Sequence, residues 1–339
     1  MDTLDLVLAS PRGRFFSANV AYLCSADERA DYSYRPRTPE DVLEVIEGID
    51  VRSVADLSEL DLLGALSFAV DWARYWQPPD EEDEMFARAD VVAALRPVAR
   101  AVLASANTRW WSDPLDFVHQ HFVVHPYSSD GWPDSTARLL SAPVGLDQWR
   151  THALEMEAQF RGYREERRDR RIGGEWWSIP SPSGALATSR SRPNLGSVEL
   201  LLEEDSSGCG VARVWPVRVL DTPRVYEITG PADWANLVDS YPLAVPESRR
   251  SVWFDTTGEY RDWFIPDWSA VARDHDAVHL SLIGYLTTPG IAIPLSSNAG
   301  ATVLAGWDPD ATWWLSKVFT TIDDEYATWR RGDDLWLRD

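Results

Sequence analysis

The chain has 339 residues, of which 45% are hydrophobic and 25% are charged, a balance typical of a globular protein with a large buried core. Its formal net charge of −22 excludes the basic surface that nucleic-acid backbones require, and it favours a small molecule or a basic protein as partner. The chain contains no apolar run of about 18 residues, the length that crossing a membrane needs, and it starts without a basic and apolar leader, so we expect a cytoplasmic protein that contacts no membrane.

The first half of the sequence, residues 1–172, is predicted to be a mostly helical domain. Thr38 and Pro39 are typical of a helix start, because threonine caps the N-terminus and proline has no N–H that needs a partner there. Apolar residues recur at helical spacing in three further stretches, one of which contains Pro97 as a kink or break: residues 57–76, 85–106 and 146–171.

The second half, residues 173–339, is predicted to be an α+β domain. It begins with a stretch rich in glycine, proline and serine at 173–197, where we expect a long loop and a domain boundary. Apolar and β-branched residues then predict strands in five stretches: residues 197–205, 211–220, 224–228, 290–295 and 302–307.

Helices are also expected in the second half. One is predicted at 229–242, and another at the start of 265–288, a stretch that then runs into a strand. The Asp-Pro-Asp sequence at 308–310 is typical of a helix N-cap and predicts a helix over 311–315. The chain as a whole is therefore predicted to be an α+β protein, with a mostly helical half followed by a β-rich half.

The sequence lacks the motifs of the commonest large enzyme families. Cys24 and Cys209 are far apart and no Cys-x-x-Cys pair occurs, which excludes a zinc ribbon or a thioredoxin-like site. There is no phosphate-binding G-x-x-x-x-G-K-[ST] loop, no G-x-S-x-G nucleophile elbow and no H-E-x-x-H zinc helix.

Five of the six histidines fall in two short stretches, and they are candidate metal ligands. If residues 116–126 form a strand, His119, His121 and His125 lie on one face, because alternate residues of a strand point the same way. Residues 274–279 could then complete a site of two histidines and a carboxylate. The alternative is that the three histidines form one polar face of an ordinary, partly buried strand.

The chain resembles a family of uncharacterised proteins from GC-rich actinobacteria. The resemblance covers most of the chain and implies an intracellular bacterial protein, but it assigns no catalytic residue. The segments that carry it are PRGRFF at 11–16, GGEWWSIP at 173–180, ATSRSRP at 187–193, VYEITGPADWANLVDSYPL at 225–243, IPDWSAVARDHDAVHLSLIGYLTT at 265–288 and LAGWDPDATWWL at 304–315.

The order of three further residues is similar to that in ADP-ribosyltransferases, which carry an arginine on an early strand, then a Ser/Thr strand and then a glutamate. Arg224, residues 287–288 and Glu325 occur in that order here. The Ser-Thr-Ser form and a paired glutamate are missing. The alternative for Arg224 is a salt bridge at a strand edge.

One functional hypothesis is an enzyme with a tryptophan-lined pocket between the two halves. The chain has 18 tryptophans, and aromatic walls with a few polar groups suit a planar, partly anionic molecule such as a nucleotide or an aromatic metabolite. Arginine would hold the anionic group, and histidine would act as acid or base. The candidate ligand-binding residues are Trp176, Trp177, Arg190, Arg224, Trp307 and Asp308, and the candidate catalytic residues are Glu204, Asp205 and His279.

The other hypothesis is a non-catalytic module that binds a basic protein partner. Tryptophan and arginine dominate the binding energy of protein interfaces, and this chain is rich in both. The two hypotheses differ in the surface that they require. An enzyme needs a concave site with converging polar groups, whereas a binding module needs a flat and exposed aromatic patch.

Overall fold

The computed structural model describes residues 1–25, 38–126, 145–166, 172–180, 185–204, 208–220, 222–297, 300–320, 326–332 and 335–339. Over these residues the chain folds as an α+β protein. Helices dominate the first part, and a mixed sheet organises the second. The predicted fold class is confirmed.

Helices form where the sequence supplies a capped start and an apolar face. Thr38 accepts a hydrogen bond from the N–H of Asp41, and Asp41 accepts one from the N–H of Thr38, a reciprocal cap that starts a helix where it was predicted. Among the described residues, no helix is both long enough and apolar enough to cross a bilayer. The helices are α1 (Thr3–Ala9), α2 (Pro11–Cys24), α3 (Pro39–Gly48), α4 (Glu59–Asp71), α5 (Glu81–Phe86), α6 (Ala89–Ala104), α7 (Leu146–Glu166), α8 (Pro231–Ser240), α9 (Arg250–Thr257), α10 (Trp268–Asp274) and α11 (Leu282–Thr287).

A mixed sheet of ten strands organises the second part. Its strands follow one another in the order β14-β13-β4-β1-β2-β11-β8-β5, with β3 beside β2 and β12 beside β4. Only β5 and β8 pair in parallel within this sheet as described. The strands of the structure are β1 (Gln120–Val124), β2 (Leu186–Arg192), β3 (Gly196–Ser197), β4 (Val211–Val219), β5 (Val225–Ile228), β6 (Pro242–Ala244), β7 (Phe264–Pro266), β8 (Ala277–Leu280), β9 (Ile293–Pro294), β10 (Ala301–Thr302), β11 (Ala311–Trp314), β12 (Phe319–Thr320), β13 (Ala327–Arg331) and β14 (Trp336–Arg338).

One apolar core contains residues from both predicted parts. Phe15 and Leu66 from the helices of the first part belong to the same buried cluster as Val278 and Trp307 from the second. Strand β1 comes from the first part, yet it lies between β4 and β2. The halves at 1–172 and 173–339 therefore share a core, and their folding as separate domains stays a prediction.

Two local predictions are wrong, and a tertiary contact and a backbone conformation explain them. Residues 198–200 form a 3₁₀ turn rather than a strand, because the N–H of Glu199 is held by the hydroxyl of Ser189. Residues 311–314 form strand β11 rather than a helix, because Asp310 turns the chain with a φ of +57°. At Pro97, where a kink or a break was predicted, helix α6 continues without a break, and the kink stays a prediction.

Two further elements were missed. The predicted loop at 173–197 contains strand β2, whose polar residues gave no apolar alternation in the sequence. The strand expected to extend through residue 288 ends at Leu280, and Ser281 then caps helix α11 by accepting a hydrogen bond from the N–H of Gly284.

A buried chain of hydrogen bonds crosses the middle of the sheet. Thr188 on β2 donates to the side-chain carbonyl of Gln120 on β1 at 2.7 Å, and it accepts from the indole N–H of Trp314 on β11 at 2.8 Å. Thr312 lies directly opposite Thr188, and its buried hydroxyl has no partner among the described residues. The two threonines thus share a location and differ in hydrogen bonding.

We predict that Thr188→Val lowers the free energy of unfolding by about 1–3 kcal/mol, because it leaves a buried indole N–H and a buried amide oxygen unpaired. Thr312→Val is the matched control and should be neutral or stabilising, because it removes a hydroxyl that is already unpaired. Urea unfolding of both variants measures the difference. Equal destabilisation by the two changes would contradict this account of the sheet.

Candidate functional site

A buried network of charged side chains crosses four neighbouring strands. His279 on β8 lies with Nδ1 2.6 Å from Oε2 of Glu227 on β5 and with Nε2 3.3 Å from Oδ1 of Asp310. Asp310, just before β11, also accepts a hydrogen bond from the N–H of Arg190 on β2 at 3.1 Å, and the Arg190 guanidinium lies 3.4 Å away. The structure thus brings together two predicted site residues, Arg190 and His279, through a carboxylate between them.

The protonation of His279 follows from these contacts. Burial by itself would lower its pKa, but the hydrogen bonds to Asp310 and Glu227 outweigh burial and raise the pKa to about 9. The ring is therefore an imidazolium at neutral pH, with both N–H groups engaged. His279 is fully buried, and this arrangement suits a structural ion cluster.

The same network holds the segment that leads into β1. Arg190 donates to the carbonyl oxygen of Pro114 at 2.9 Å, and Glu227 accepts a hydrogen bond from the N–H of Leu115 at 3.0 Å. Residues 114 and 115 directly precede Asp116. The buried charges therefore fix the position of the polar residues at the start of β1.

A second cluster surrounds Glu204, another predicted catalytic residue. Tyr75 and Tyr285 donate their hydroxyls to Oε1 of Glu204 at 2.5 and 2.8 Å, and the N–H of Glu204 donates to Asp308 at 2.7 Å. Burial and the negative charge of Asp308 raise the pKa of Glu204 to about 8. Glu204 is therefore a protonated acid at neutral pH. Two other predicted residues, Asp205 and Glu325, lie outside the described residues.

Two tryptophans of the predicted pocket, Trp176 and Trp307, lie in the core of the structure. Trp176 packs on Tyr75 and Trp76, and its carbonyl oxygen accepts a hydrogen bond from the indole of Trp253. Trp307 is fully buried, and its indole N–H donates to the carbonyl oxygen of Ala311. These two side chains therefore belong to the packing of the core.

Trp177 and Arg224 lie apart from the buried charges. Trp177 is 42% exposed and packs over Gly306, where a Cβ atom would come within 2.8 Å of its ring. The guanidinium of Arg224 pairs with Asp276 at 3.1 Å, the salt bridge at a strand edge that was the alternative to a catalytic role.

An open groove of about 710 Å³ lies where β1 and β2 face the C-terminal strands. Its walls include three groups that the sequence did not bring together: a turn before β1, the end of β2, and the aromatic residues of β13 and β14. The residues used below are Asp116, His119, His121, Ser191, Asn194, Trp329, Trp336 and Arg338. Gly196 has a φ of +80°, and its backbone lies against the ring of Trp329 so closely that a Cβ atom would come within 2.7 Å.

The three histidines of the predicted metal site separate between two cavities. His119 and His121 line the groove, whereas His125 lines a neighbouring cavity of about 120 Å³, where its Nε2 lies 3.6 Å from Glu203. Trp336 forms part of the wall of both cavities. Over the described ranges, no three His, Cys, Asp or Glu side chains converge as the ligands of a metal would.

The groove is neutral to positive in a strongly acidic chain. Burial, and to a smaller extent the charges of Arg338 and His119, lower the pKa of His121 to about 4, so its ring is neutral at physiological pH. Nδ1 of His121 is buried without a partner among the described residues. Arg338 is exposed, and its side chain makes no ion pair or hydrogen bond with any residue that the structure describes.

Sequence reasoning found His119 and His121 but missed Asp116, Ser191 and Arg338. A sequence signal existed for Asp116, since the D-x-x-H spacing lets a carboxylate reach the histidine three residues later. No local signal placed the C-terminal strands beside β1. Comparisons of the chain with protein-family models, with curated proteins and with solved structures return no match.

We predict that Glu204→Gln removes part of the pH dependence of stability. The folded state keeps the proton of Glu204 up to a pKa of about 8, whereas the unfolded chain releases it near 4.5. The unfolded state therefore binds fewer protons at this side chain between these values, and Glu204 contributes a fall of several kcal/mol in the free energy of unfolding as pH rises from about 5 to 8.

Glutamine cannot ionise, so the variant should lose this contribution while still accepting hydrogen bonds from the two tyrosines. Urea unfolding at several pH values measures both slopes. Glu259→Gln, at an exposed carboxylate paired with Arg261, is the control and should keep the wild-type slope. The same slope in wild type and Glu204→Gln would contradict the protonated state assigned to Glu204.

Proposed function

We propose that the protein is cytoplasmic and binds a planar small molecule that carries an anionic group. The ligand occupies the groove between β1–β2 and β13–β14. The observation that carries this proposal is the lining of the groove. Aromatic rings, an exposed arginine and oriented histidines meet in one concave surface. Ligand sites usually combine apolar walls with a few such polar groups.

The size of the groove supports a small-molecule ligand. Its volume of about 710 Å³ lies within the range of roughly 300–1,000 Å³ that is typical of ligand sites. Trp329 and Trp336 belong to a buried cluster with Val123 of β1, so the aromatic wall is held in place by packing before any ligand arrives. A preformed wall lowers the entropy that binding costs.

Charge supports an anionic group on the ligand. Arg338 presents a guanidinium whose donors are not used by any described residue, and guanidinium groups suit carboxylates and phosphates. His121 is neutral at physiological pH, so it does not repel the anionic group. The net charge of −22 on the whole chain repels anions, so an anion that binds this protein requires a local site of this kind.

The exposure of the tryptophans favours this function over a protein-binding module. Trp177 is the one tryptophan among the described residues that is largely exposed. A flat aromatic docking patch requires several exposed rings side by side. The aromatic content is instead used in the core and in the walls of the groove.

We predict that planar acids bind the wild type more tightly than their uncharged amides. A suitable pair is 2-naphthoate and 2-naphthamide, with adenosine monophosphate as a second acid, measured by calorimetry and thermal shift. Arg338→Ala should weaken binding of the acids about 10-fold, the equivalent of about 1.4 kcal/mol for one charge-assisted hydrogen bond, and should leave amide binding unchanged.

The matched control is Arg261→Ala, which removes the same charge from an exposed ion pair with Glu259. It should bind all three probes as the wild type does. Acids that bind wild type and Arg338→Ala equally, or acids that fail to bind the wild type, would contradict the proposed function.

A further inference from the structure

Asp116 holds His119 in a defined orientation at the edge of the groove. Oδ1 of Asp116 accepts hydrogen bonds from the N–H groups of Val118 and His119 at 2.9 and 3.1 Å, and its Oδ2 lies 2.9 Å from Nδ1 of the His119 ring. These hydrogen bonds outweigh the effect of burial and lower the pKa of Asp116. A carboxylate at Nδ1 keeps the proton on that nitrogen, so Nε2 of His119 can accept a proton. The His119 side chain is 62% exposed, so a ligand in the groove can reach it.

The backbone of Ser191 lies beside that of His119. The register of β1 and β2 pairs Gln120 with Arg190 and His121 with Ser189. Just beyond these pairs, the N–H of Ser191 donates to the carbonyl oxygen of His119 at 2.8 Å, so the two backbones lie side by side. Both residues line the groove.

The two serines of β2 differ in burial and in hydrogen bonding. The hydroxyl of Ser189 is buried and lies 2.7 Å from the hydroxyl of Ser197. Ser191 is half-buried on the wall of the groove, and its hydroxyl makes no hydrogen bond with a described residue. Ser191 is therefore the serine of this strand whose hydroxyl is available to a ligand.

We infer that Ser191, His119 and Asp116 form a hydrolytic site that cleaves esters bearing an anionic group. This inference rests on the proposed binding of an anionic planar molecule in the same groove. Ser191 and His119 are the catalytic residues, and Asp116 is a positioning residue that acts through His119. The arrangement has the roles of a nucleophile, a base and a group that orients the base.

The reaction proceeds in two halves with water as the co-reactant. Oγ of Ser191 attacks the ester carbonyl carbon while Nε2 of His119 takes the hydroxyl proton. The C–O bond to the alcohol then breaks, and His119 returns the proton to the departing alcohol oxygen. Water attacks the resulting acyl-serine by the same route. The products are one carboxylic acid and one alcohol, with Ser191 regenerated.

The groove also provides a donor for the charge that develops on the carbonyl oxygen. The side-chain amide of Asn194 lies on its lining, while Arg338 remains the contact for the anionic group of the ester. Asn194 holds a φ of +65°, a conformation uncommon for residues other than glycine, at the tip of the turn that follows β2. Donors placed before the reaction stabilise an oxyanion without further rearrangement.

The first test is covalent labelling of the full chain by a fluorophosphonate probe, located by peptide mass spectrometry. The wild type should be labelled at Ser191, and Ser191→Ala should not be labelled. Ser53→Ala, which removes an exposed hydroxyl bonded to the carbonyl oxygen of Asp50, is the control and should be labelled as the wild type is. A wild type that is not labelled at Ser191 would overturn the inference.

The second test is hydrolysis of 4-nitrophenyl hydrogen succinate, with uncharged 4-nitrophenyl butyrate for comparison. Ser191→Ala and His119→Ala should each lower kcat/KM for the anionic ester at least 100-fold, whereas His152→Ala, at an exposed position on α7, should not. Asp116→Asn should lower kcat for the anionic ester and leave KM unchanged, because the ring of His119 loses the carboxylate that orients it while the anion contact at Arg338 stays intact.

Binding separates the two proposals. Ser191→Ala should bind 2-naphthoate as tightly as the wild type, because the hydroxyl is not part of the anion contact. Binding of naphthoate without hydrolysis or labelling would leave the ligand site standing and refute the hydrolytic site. Absence of both binding and hydrolysis would refute both proposals. Hydrolysis that persists in Ser191→Ala would show that another group carries it and would also refute the assignment.

Discussion

The rest of the structure depends on the contacts that the carboxylate of Asp310 makes. This carboxylate lies between the imidazolium of His279 and the guanidinium of Arg190, and it is almost fully buried. Placing charges away from water is costly unless each one has a close partner of opposite sign. Here Glu227 provides the second carboxylate, so two buried cations face two anions. The strands that carry these residues are thereby held in one register.

The consequences of this contact reach the opposite face of the sheet. Arg190 and Glu227 anchor the backbone at Pro114 and Leu115, and the chain then enters the turn of Asp116 and strand β1. Because neighbouring residues of a strand point to opposite faces, Gln120 faces the buried hydrogen bonds while His121 faces the groove. His119, just before the strand, also lines the groove. The same alternation on β2 separates Arg190 from Ser191. One register therefore determines both the packed face and the face that presents reactive groups.

The sequence predicted those elements whose signals are local. Helix α3 has its cap at Thr38, and strands β4 and β5 have the apolar residues that a half-buried strand requires. Strand β2 could not be predicted in this way, because its threonine, serine and arginine are satisfied by partners far away in the chain, such as Gln120 and Asp310. The turn at Asp310 likewise depends on its buried cations and not on the helix-capping character of its sequence.

The candidate site likewise contains some residues with a local sequence signal and others without one. His119 and His121 were identifiable from their alternation, and a strand there was expected. Trp329, Trp336 and Arg338 join them only because β13 pairs with β4, the neighbour of β1, and β14 pairs with β13, an arrangement that no local pattern encodes. Arg190 was predicted as a ligand contact and His279 as a catalytic acid or base; in the structure both side chains are held by carboxylates, Asp310 and Glu227.

A double-mutant cycle between Asp310→Asn and His279→Gln tests this dependence most directly. Urea unfolding at neutral pH gives the free energy of unfolding of the wild type, both single variants and the double variant. If Asp310 and His279 act as one buried unit, the effects of the two changes are not additive, and the coupling is about 2 kcal/mol or more. Additivity of the two changes to within about 0.5 kcal/mol would contradict the central role of this contact.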